Sequence, residues 1–311
     1  MKNEKKIWFR VFGKLSGMGL LKWVPDDLFL KVYYRGEMNK PLNLRNPQTF
    51  NEKLQWLKLY DRRPEYTVMV DKYSVKQYVA EKIGEQYIIP TLGVWKHFDD
   101  IDFDSLPNQF VLKCTHDSGG LVICKDKSSL DKTAANEKIE KSLKRNYYWS
   151  GREWPYKNVP PQIIAEKYMS NNQENDSEET NFNTNEVDDL KDYKFYCFNG
   201  TMKFVMINSD RNSDKPTKAD YFDRNFNWLD FTWGYGHAEI RPERPDKFEE
   251  MIFLAEKLSK GLPHIRVDFY ECNGRVYFGE LTFYDGSGFD AIEPSEWEYK
   301  IGKMINLPNV Y

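Results

Sequence analysis

The stretch that most restricts the fold is residues 264–288, HIRVDFYECNGRVYFGELTFYDGSG. Two largely apolar runs flank the pair Asn273-Gly274, and an Asn-Gly pair between such runs is typical of a tight β-hairpin. Arg266, Asp268 and Glu280 nevertheless stand within these runs. Burying uncompensated charges costs several kcal/mol each, so we expect partners or a ligand to compensate these three side chains.

The length of the turn decides which face of the hairpin each charge occupies, because side chains alternate along a strand. A two-residue turn directs Glu280 away from Asp268. A three-residue loop, with Gly274 in the left-handed region, gathers one set of side chains on a single face: Arg266, Asp268, Glu280 and Thr282. Two carboxylates on one face suit Mg²⁺, especially when phosphates complete its shell. The structural alternative is an Arg-Glu pair at a sheet edge.

Composition indicates a packed globular protein without a strong electrostatic preference. The 311 residues are 40% hydrophobic and 16% aromatic, and 45 basic against 48 acidic residues give a net charge of -3. This balance predicts no nucleic-acid partner. Four widely spaced cysteines and four histidines favour neither a zinc site nor a disulfide framework, so we expect a cytoplasmic location. No apolar run reaches the roughly 18 residues of a transmembrane helix.

Residues 1–23, MKNEKKIWFRVFGKLSGMGLLKW, alternate basic and large apolar side chains. Charges interrupt the apolar part and a cleavage site is lacking, so the segment does not resemble a signal peptide. One interpretation is an amphipathic helix packed on the domain. The other is a helix at the membrane surface, which would make the protein peripheral at the inner face of the plasma membrane.

Hairpins interleaved with helices favour an α+β fold over a doubly wound parallel sheet. Thr49 and Glu52 form a capping-box pattern at the start of one helix, and Gly84 ends the next. Asn199-Gly200 predicts a second tight hairpin. Residues 170–189 contain seven acidic and no basic residues, and this composition predicts a flexible loop.

The stretch FVLKCTHDSGG places a lysine, Lys113, inside an apolar strand that leads into a glycine-containing loop, residues 115–120. Backbone N–H groups of such a loop can face phosphate oxygens while the lysine neutralises charge. The candidate ligands in the loop are His116, Ser118, Gly119 and Gly120. It is not a Walker A motif, and a plain β-turn is the alternative; His116 also fits the role of a polar turn residue.

Two further strands carry charges at their ends or within them. In IIAEKYM, Glu166 and Lys167 end a buried strand, either as a hinge that presents groups to an adenine ring or as an ordinary charged pair. In DDLKDYKFYCFNG, Asp192 and Lys194 share a face, either as an ion pair or with Lys194 directed at a phosphate.

These stretches occur in an order that resembles the ATP-grasp superfamily, and more narrowly its TupA-like family, named after a protein of teichuronopeptide synthesis. The resemblance spans roughly residues 45–308 and is carried by TFNEKLQWLKLYDRR, DKYSVKQYVAEKIGEQYIIPTLGVW, FVLKCTHDSGG, DYKFYCFNG, RVDFY and FGELTFYDGSG. It implies two subdomains whose antiparallel sheets clasp ATP. The implied units are a helical extension (1–65), an N-terminal subdomain with the phosphate loop (66–165) and a C-terminal subdomain with the metal-binding hairpin (166–311).

The resemblance also implies a role for each candidate residue. Lys113 would contact the phosphates beneath the loop, and Glu166 and Lys167 would hold the adenine. Further phosphate ligands would be Lys194 and Arg211. Mg²⁺ would be held by Asp268 and Glu280, with Thr282 where the superfamily often has Asn. Arg266, together with Lys194, would be catalytic and would stabilise the acyl-phosphate end of the reaction.

The implied activity is a carboxylate-amine ligase that uses ATP and Mg²⁺ and forms an acyl phosphate. Its partners would be ATP, a small-molecule or glycan carboxylate and an amine, in the biosynthesis of a cell-surface polysaccharide such as a capsule. A kinase of the same fold is the nearest alternative. A glycosyltransferase is another, supported only by the DxD-like Asp102-Phe103-Asp104. An ATP-binding protein without turnover is a third, which Lys113, Asp268 and Glu280 argue against.

Overall fold

The helix with the clearest start signal in the sequence forms as predicted. In the computed structural model, which describes residues 11–171, 190–209 and 216–309, this helix spans Phe50–Tyr60. The Thr49 side chain accepts a hydrogen bond from the Glu52 N–H, and the Glu52 carboxylate accepts one from the Thr49 N–H. This capping box satisfies two N–H groups that a helix start otherwise leaves unpaired.

The helix that the sequence ends at Gly84 also forms. The labelled helices are α1 (Asp26–Met38), α2 (Phe50–Tyr60), α3 (Glu65–Val70), α4 (Ser74–Ile83), α5 (Lys132–Leu143), α6 (Tyr148–Gly151), α7 (Phe248–Ser259) and α8 (Glu296–Met304). Residues 11–17 are also helical. Single 3-10 turns occupy Glu85–Tyr87, Phe98–Asp100, Lys127–Ser129, Trp154–Asn158 and Asp285–Gly288. Gly84 ends α4 at a φ of 116°, a conformation that favours glycine.

Antiparallel sheets confirm the α+β fold. The strands are β1 (Thr91–Trp95), β2 (Phe110–Cys114), β3 (Leu121–Cys124), β4 (Ile163–Lys167), β5 (Asp192–Phe198), β6 (Thr201–Ser209), β7 (Lys218–Asp223), β8 (Trp228–Leu229), β9 (Thr232–Trp233), β10 (His264–Cys272), β11 (Arg275–Thr282) and β12 (Ile292–Glu293). They form a four-stranded sheet in the order β1-β4-β2-β3, a six-stranded sheet in the order β11-β10-β5-β6-β7-β8, and the pair β12-β9.

The six-stranded sheet presents one face to a helix and its central charges to the other face. Phe195 on β5 and Phe269 on β10 lie 5.9 Å apart between ring centroids, and Phe195 is 5.8 Å from Phe248 of α7. Because side chains alternate, Lys194 and Asp268 point away from α7. The packing of one face on α7 therefore fixes the direction of the charged side chains on the other.

The four-stranded sheet has a smaller core of its own, in which Phe110, Leu112 and Ile163 pack with Ile139 of α5. β4 crosses the predicted boundary between residues 165 and 166 and pairs with both β1 and β2. A cleft of about 1220 Å³ takes its lining from both sheets. The candidate residues that line the cleft are Lys113, Glu166, Lys167 and Asp192.

Some predictions concern residues outside the described ranges. These are Arg211, residues 1–10 of the N-terminal segment, and residues 172–189 of the acidic loop. Within the described ranges, no helix combines the length and apolar character needed to cross a membrane.

Candidate active site

The hairpin of β10 and β11 brings both predicted metal ligands, Asp268 and Glu280, to one face. It does so through a β-bulge, which neither of the two predicted turn lengths included. The turn has two residues, since Cys272 pairs with Arg275. A β-bulge then shifts the register, so that Phe269 pairs with Phe278 but Asp268 pairs with Glu280. Gly279 is the extra residue. The expectation that a two-residue turn directs Glu280 away from Asp268 was therefore wrong, because a bulge restores the alternation.

Close packing explains why the extra residue is a glycine. A Cβ at position 279 would lie 3.0 Å from the Tyr270 ring and 3.1 Å from the Asp268 carbonyl oxygen. A side chain there would push β11 away from β10 at the point where the two carboxylates meet. The bulge therefore sets the geometry of the site.

Arg266 ties the carboxylates of this face together. Its Nε and one terminal nitrogen lie 2.7 Å from the two oxygens of Asp268, and the same terminal nitrogen lies 2.8 Å from Glu280 Oε1. The other terminal nitrogen donates to Asp285. The Thr282 hydroxyl lies 3.4 Å from Glu280 Oε1. The structure thus places all four predicted side chains of this face in one hydrogen-bonded group.

Lys194 joins the group from the neighbouring strand. Its Nζ lies 2.7 Å from Asp268 Oδ2 and also donates to Asp192, as the ion-pair interpretation predicts. Burial opposes ionisation of Asp268, but the charges of Arg266 and Lys194 lower the pKa of this carboxyl below its ordinary value. Asp268 is therefore ionised at neutral pH.

The candidate nucleotide end of the cleft contains a second ionic group. Lys113 on β2 and Lys76 on α4 each lie 2.5 Å from a carboxylate oxygen of Glu166 on β4. Burial opposes ionisation, but these two lysines lower the pKa of Glu166. Apolar side chains of Ile89, Val111 and others line the cleft beside them, as does Lys167. The cleft thus combines an apolar wall with cations, which is a suitable lining for a nucleotide.

Sequence reasoning missed Lys76 and its neighbour Lys72. Both come from DKYSVKQYVAEKIG, where they stand four residues apart around the start of α4. Lys72 Nζ donates to the Asp117 carbonyl, and Glu280 and Lys113 both influence its pKa, which burial lowers. The sequence signal for these two residues was the presence of two lysines at the start of α4, because helix N-termini commonly bind anions.

The glycine loop is anchored at its base and exposed at its tip. Gly120 N–H donates to Asp117 Oδ1 at 3.0 Å, and Ser118 and Gly119 are exposed. His116 is turned the other way: it is buried, and its Nε2 lies 3.2 Å from the Ser142 carbonyl and 3.0 Å from that of Arg145. The structure therefore brings His116 to α5 rather than to the cleft.

The DxD-like segment and the turn after β11 are both held by local hydrogen bonds. Asp102 Oδ1 accepts the N–H groups of Asp104 and Ser105 at 3.1 and 3.4 Å, so the DxD-like segment forms an ordinary turn. In the turn after β11, the Gly286 N–H donates to Asp285 and the Ser287 N–H to Tyr284. Both N–H groups are therefore paired within the turn itself.

Comparison with models of protein families matches residues 52–306 to the family described as TupA-like ATPgrasp. The chain belongs to the TupA-like ATP-grasp family. The match covers both sheets, the cleft and the β10–β11 hairpin. No curated protein matches this TupA-like chain.

Solved structures similar to the TupA-like chain include three ligases. A D-alanine–D-alanine ligase from Bacillus anthracis complexed with ATP is 15% identical, with a TM-score of 0.41, over 70% of this chain and 55% of that one. The Helicobacter pylori enzyme is 15% identical, with a TM-score of 0.41, over 82% and 69%. An L-amino acid ligase from Bacillus licheniformis is 11% identical, with a TM-score of 0.45, over 86% and 57%. The chain spans little more than half of the first and third.

Proposed function

We propose that this protein is an ATP- and Mg²⁺-dependent carboxylate-amine ligase that acts through an acyl phosphate. The observation that carries the proposal is the opposition of Asp268 and Glu280, with Lys194 and Arg266 between and beside them. Membership of the TupA-like ATP-grasp family supports the same activity.

ATP would occupy the cleft between the sheets. Its base would lie against the apolar wall near Glu166 and Lys167, and its phosphates would run past Lys113 toward Asp268. The tip of the glycine loop, Ser118-Gly119, is exposed and can approach the phosphates from above. Lys113 and Lys194 would neutralise phosphate charge, each through charge-assisted hydrogen bonds.

The donor set fits Mg²⁺. This ion is usually held by one or two carboxylates together with phosphates and water, rather than by a cage made only of protein groups. Asp268 and Glu280 supply two hard oxygen ligands on one face, and the Thr282 hydroxyl can orient water. When bound, Mg²⁺ would neutralise phosphate charge.

In the reaction, a substrate carboxylate attacks the γ-phosphorus of ATP and ADP leaves. An amine then attacks the acyl phosphate to give an amide and phosphate. Arg266 lies beside both carboxylates and would stabilise charge on the acyl-phosphate oxygens, while Lys194 holds Asp268 ionised. The chain contributes positioning and electrostatic stabilisation, as is usual for phosphoryl transfer.

We further propose that the protein works on a cell-surface polysaccharide from the cytoplasmic side of the membrane, where ATP is available. Met18, Leu20, Trp23 and Leu28 are apolar side chains of one short segment with 66, 57, 80 and 50% of their area exposed, and Lys22 of the same segment is also exposed. Exposed apolar side chains with adjacent lysines fit the headgroup region of an anionic membrane.

A trapping assay tests the ligase proposal. The protein is incubated with Mg²⁺, ATP and hydroxylamine, and with uronic acids and amino acids as candidate carboxylates. Hydroxylamine converts an acyl phosphate to a hydroxamate, so ADP and hydroxamate should appear together. ADP with a phosphorylated hydroxyl and no hydroxamate would establish a kinase instead. Absence of ADP with every carboxylate would contradict the proposal.

A further inference from the structure

The guanidinium group of Arg266 fills the gap between the two predicted metal ligands. One terminal nitrogen lies 2.7 Å from Asp268 Oδ2 and 2.8 Å from Glu280 Oε1. Mg²⁺ binds carboxylate oxygens at about 2.1 Å and would use the same two side chains. A guanidinium nitrogen and the ion cannot share this gap, because both are positively charged and need the same oxygen lone pairs. Arg266 therefore has to leave the gap when the ion binds.

Asp268 has little capacity left for another ligand. An ionised carboxylate offers about four lone-pair positions. Arg266 takes two of them on Asp268, each at 2.7 Å, and Lys194 Nζ takes a third at 2.7 Å. Only 2% of the Asp268 side chain is exposed, against 44% of the Glu280 side chain. Displacement of Arg266 is thus the change that opens Asp268 to a ligand.

Asp285 gives Arg266 a contact that involves neither predicted metal ligand. The other terminal nitrogen of Arg266 donates to Asp285 Oδ1. Asp285 belongs to the turn Asp285–Gly288 and not to β10 or β11. Because the guanidinium group is a planar fork with several donors, this bond can persist while the remaining nitrogens leave Asp268 and Glu280.

Asp285 is itself held in place from two sides. Its second oxygen accepts a hydrogen bond from the hydroxyl of Tyr196, a fully buried residue of β5 whose ring stacks on Phe204 at 4.5 Å. On the side of α2, Lys58 Nζ lies 2.7 Å from the Ser287 carbonyl and fixes the same turn. Asp285 therefore has a well-defined position from which to hold Arg266.

The charges of this hydrogen-bonded group suit a divalent cation. Two cationic side chains, Arg266 and Lys194, are bonded to four carboxylates, which are Asp192, Asp268, Glu280 and Asp285. With every member ionised, two positive charges face four negative ones. The group thus attracts a divalent ion electrostatically, while Arg266 occupies the gap between the two predicted metal ligands.

We propose that Arg266 closes the metal site until Mg²⁺ arrives with ATP, and that Asp285 then retains Arg266 beside the reacting phosphate. The inference rests on the proposed ligase function and adds to it the order of binding. The ion enters together with the nucleotide, because phosphate oxygens give the displaced guanidinium group new charged acceptors. Asp285 is a positioning residue, since it acts through Arg266 and not on the reacting atoms.

Binding of Mn²⁺ without nucleotide tests the closure, because Mn²⁺ accepts the same oxygen ligands as Mg²⁺ and its unbound fraction is measured by electron paramagnetic resonance. Wild type is compared with Arg266→Lys, which keeps the positive charge but lacks the planar fork. We expect Arg266→Lys to bind Mn²⁺ about 10-fold more tightly than wild type, as loss of a hydrogen bond to the charged Asp268 implies. A purely structural role of Arg266 predicts weaker binding instead.

The role of Asp285 is tested with a non-hydrolysable ATP analogue present. Asp285→Asn keeps the shape of the side chain and removes the charge that retains Arg266. It should weaken Mn²⁺ binding about 10-fold, because Arg266 then competes with the ion for the metal ligands.

The charge-matched control is Asp290→Asn. Asp290 is exposed and its carboxylate lies beside Gly286 of the same turn, but among the described residues Arg266 makes no hydrogen bond to it. Its removal should change Mn²⁺ binding by less than about two-fold, because solvent screens an exposed charge. Thermal melting establishes that each variant is folded.

Each part of the proposal has its own contradicting result. Closure by Arg266 is overturned if folded Arg266→Lys binds Mn²⁺ no more tightly than wild type. It is also overturned if wild type binds Mn²⁺ equally well with and without the analogue, a comparison that needs no variant. Equal effects of Asp285→Asn and Asp290→Asn would remove the role of Asp285.

Failure of the ligase function gives a different pattern. A wild type that shows the expected Mn²⁺ binding but forms no hydroxamate from any carboxylate overturns the ligase function and leaves the closure by Arg266 intact. A wild type that binds no ATP analogue overturns both the ligase function and the proposed order of binding.

Discussion

Asp268 on β10 lies directly opposite Glu280 on β11, and one nitrogen of Arg266 joins them at 2.7 and 2.8 Å. The sequence places these residues on opposite faces of a regular hairpin with a two-residue turn. They meet because Gly279 adds one residue to β11. The candidate metal site thus depends on a bulge, and bulges are common next to active sites.

Substituting Gly279 should damage both stability and the site. We expect Gly279→Ala to lower the free energy of unfolding by about 1–3 kcal/mol, because its Cβ would press on Tyr270 and the Asp268 carbonyl. Urea denaturation measures the change. In the control Gly236→Ala the nearest atom, Lys218 Nζ, is 3.8 Å from the new Cβ, so its effect should be small. Equal effects of the two substitutions would contradict the role of the bulge.

Local signals in the sequence predicted much of the fold but little of how its parts meet. Thr49 and Glu52 mark a helix start, and Asn273-Gly274 marks a turn, because each pattern acts within a few residues. The bulge is not visible in this way, since Gly279 is required only once the Tyr270 ring is in place.

In the candidate site, too, the sequence does not reveal features that depend on tertiary packing. The sequence singles out Asp268, Glu280, Arg266 and Lys194 because charges within apolar strands are conspicuous. Lys72 and Lys76 were missed, since each lies in an ordinary amphipathic segment and becomes unusual only when tertiary packing brings Lys76 to Glu166 and Lys72 to the Asp117 carbonyl. His116 lies in a convincing glycine loop, yet its ring hydrogen-bonds to α5.

His264 should make stability depend on pH. It is buried between aromatic rings, with Phe198 at 4.7 Å, and burial lowers its pKa to about 4 despite its hydrogen bond with the Cys197 carbonyl. The unfolded chain takes up a proton near pH 6.5 while the folded chain does not, so stability decreases as the pH falls from about 6.5 to 4. Between pH 7 and pH 5 this amounts to about 2 kcal/mol.

The variant His264→Phe isolates that contribution, because phenylalanine suits the aromatic surroundings and does not titrate. Unfolding free energies of both proteins at pH 7 and pH 5 should show a smaller decrease in the variant, although the lost hydrogen bond lowers its stability at both values. The same decrease in both proteins would show that His264 does not remain neutral when folded.

Lys113 should contribute strongly to nucleotide affinity. A hydrogen bond to a charged group contributes about 1.5–3 kcal/mol, so Lys113→Met should weaken binding of an ATP analogue by about 10- to 100-fold. Lys141→Met removes an exposed lysine of α5 and is the matched control. Calorimetric titration gives both affinities, and an unchanged affinity in Lys113→Met would exclude a phosphate contact.

The exposed apolar side chains between Met18 and Leu28 predict binding to anionic vesicles. Wild type should sediment with phosphatidylcholine vesicles that contain phosphatidylserine and less with phosphatidylcholine alone, because Lys22 adds electrostatic attraction. Trp23→Ser should reduce sedimentation several-fold. Ile240→Ser, which removes an 87% exposed side chain elsewhere, should not. Equal sedimentation of these two variants would show that Trp23 does not contact lipid.

Calorimetric binding of a non-hydrolysable ATP analogue, with and without Mg²⁺, tests the central claim most directly. Wild type is compared with the double variant Asp268→Asn/Glu280→Gln, in which both carboxylates become isosteric amides. We predict tight, magnesium-dependent binding to wild type and loss of the magnesium dependence in the variant. A wild type that binds no ATP analogue would contradict the account, and nucleotide-sugars would then be the next ligands to titrate.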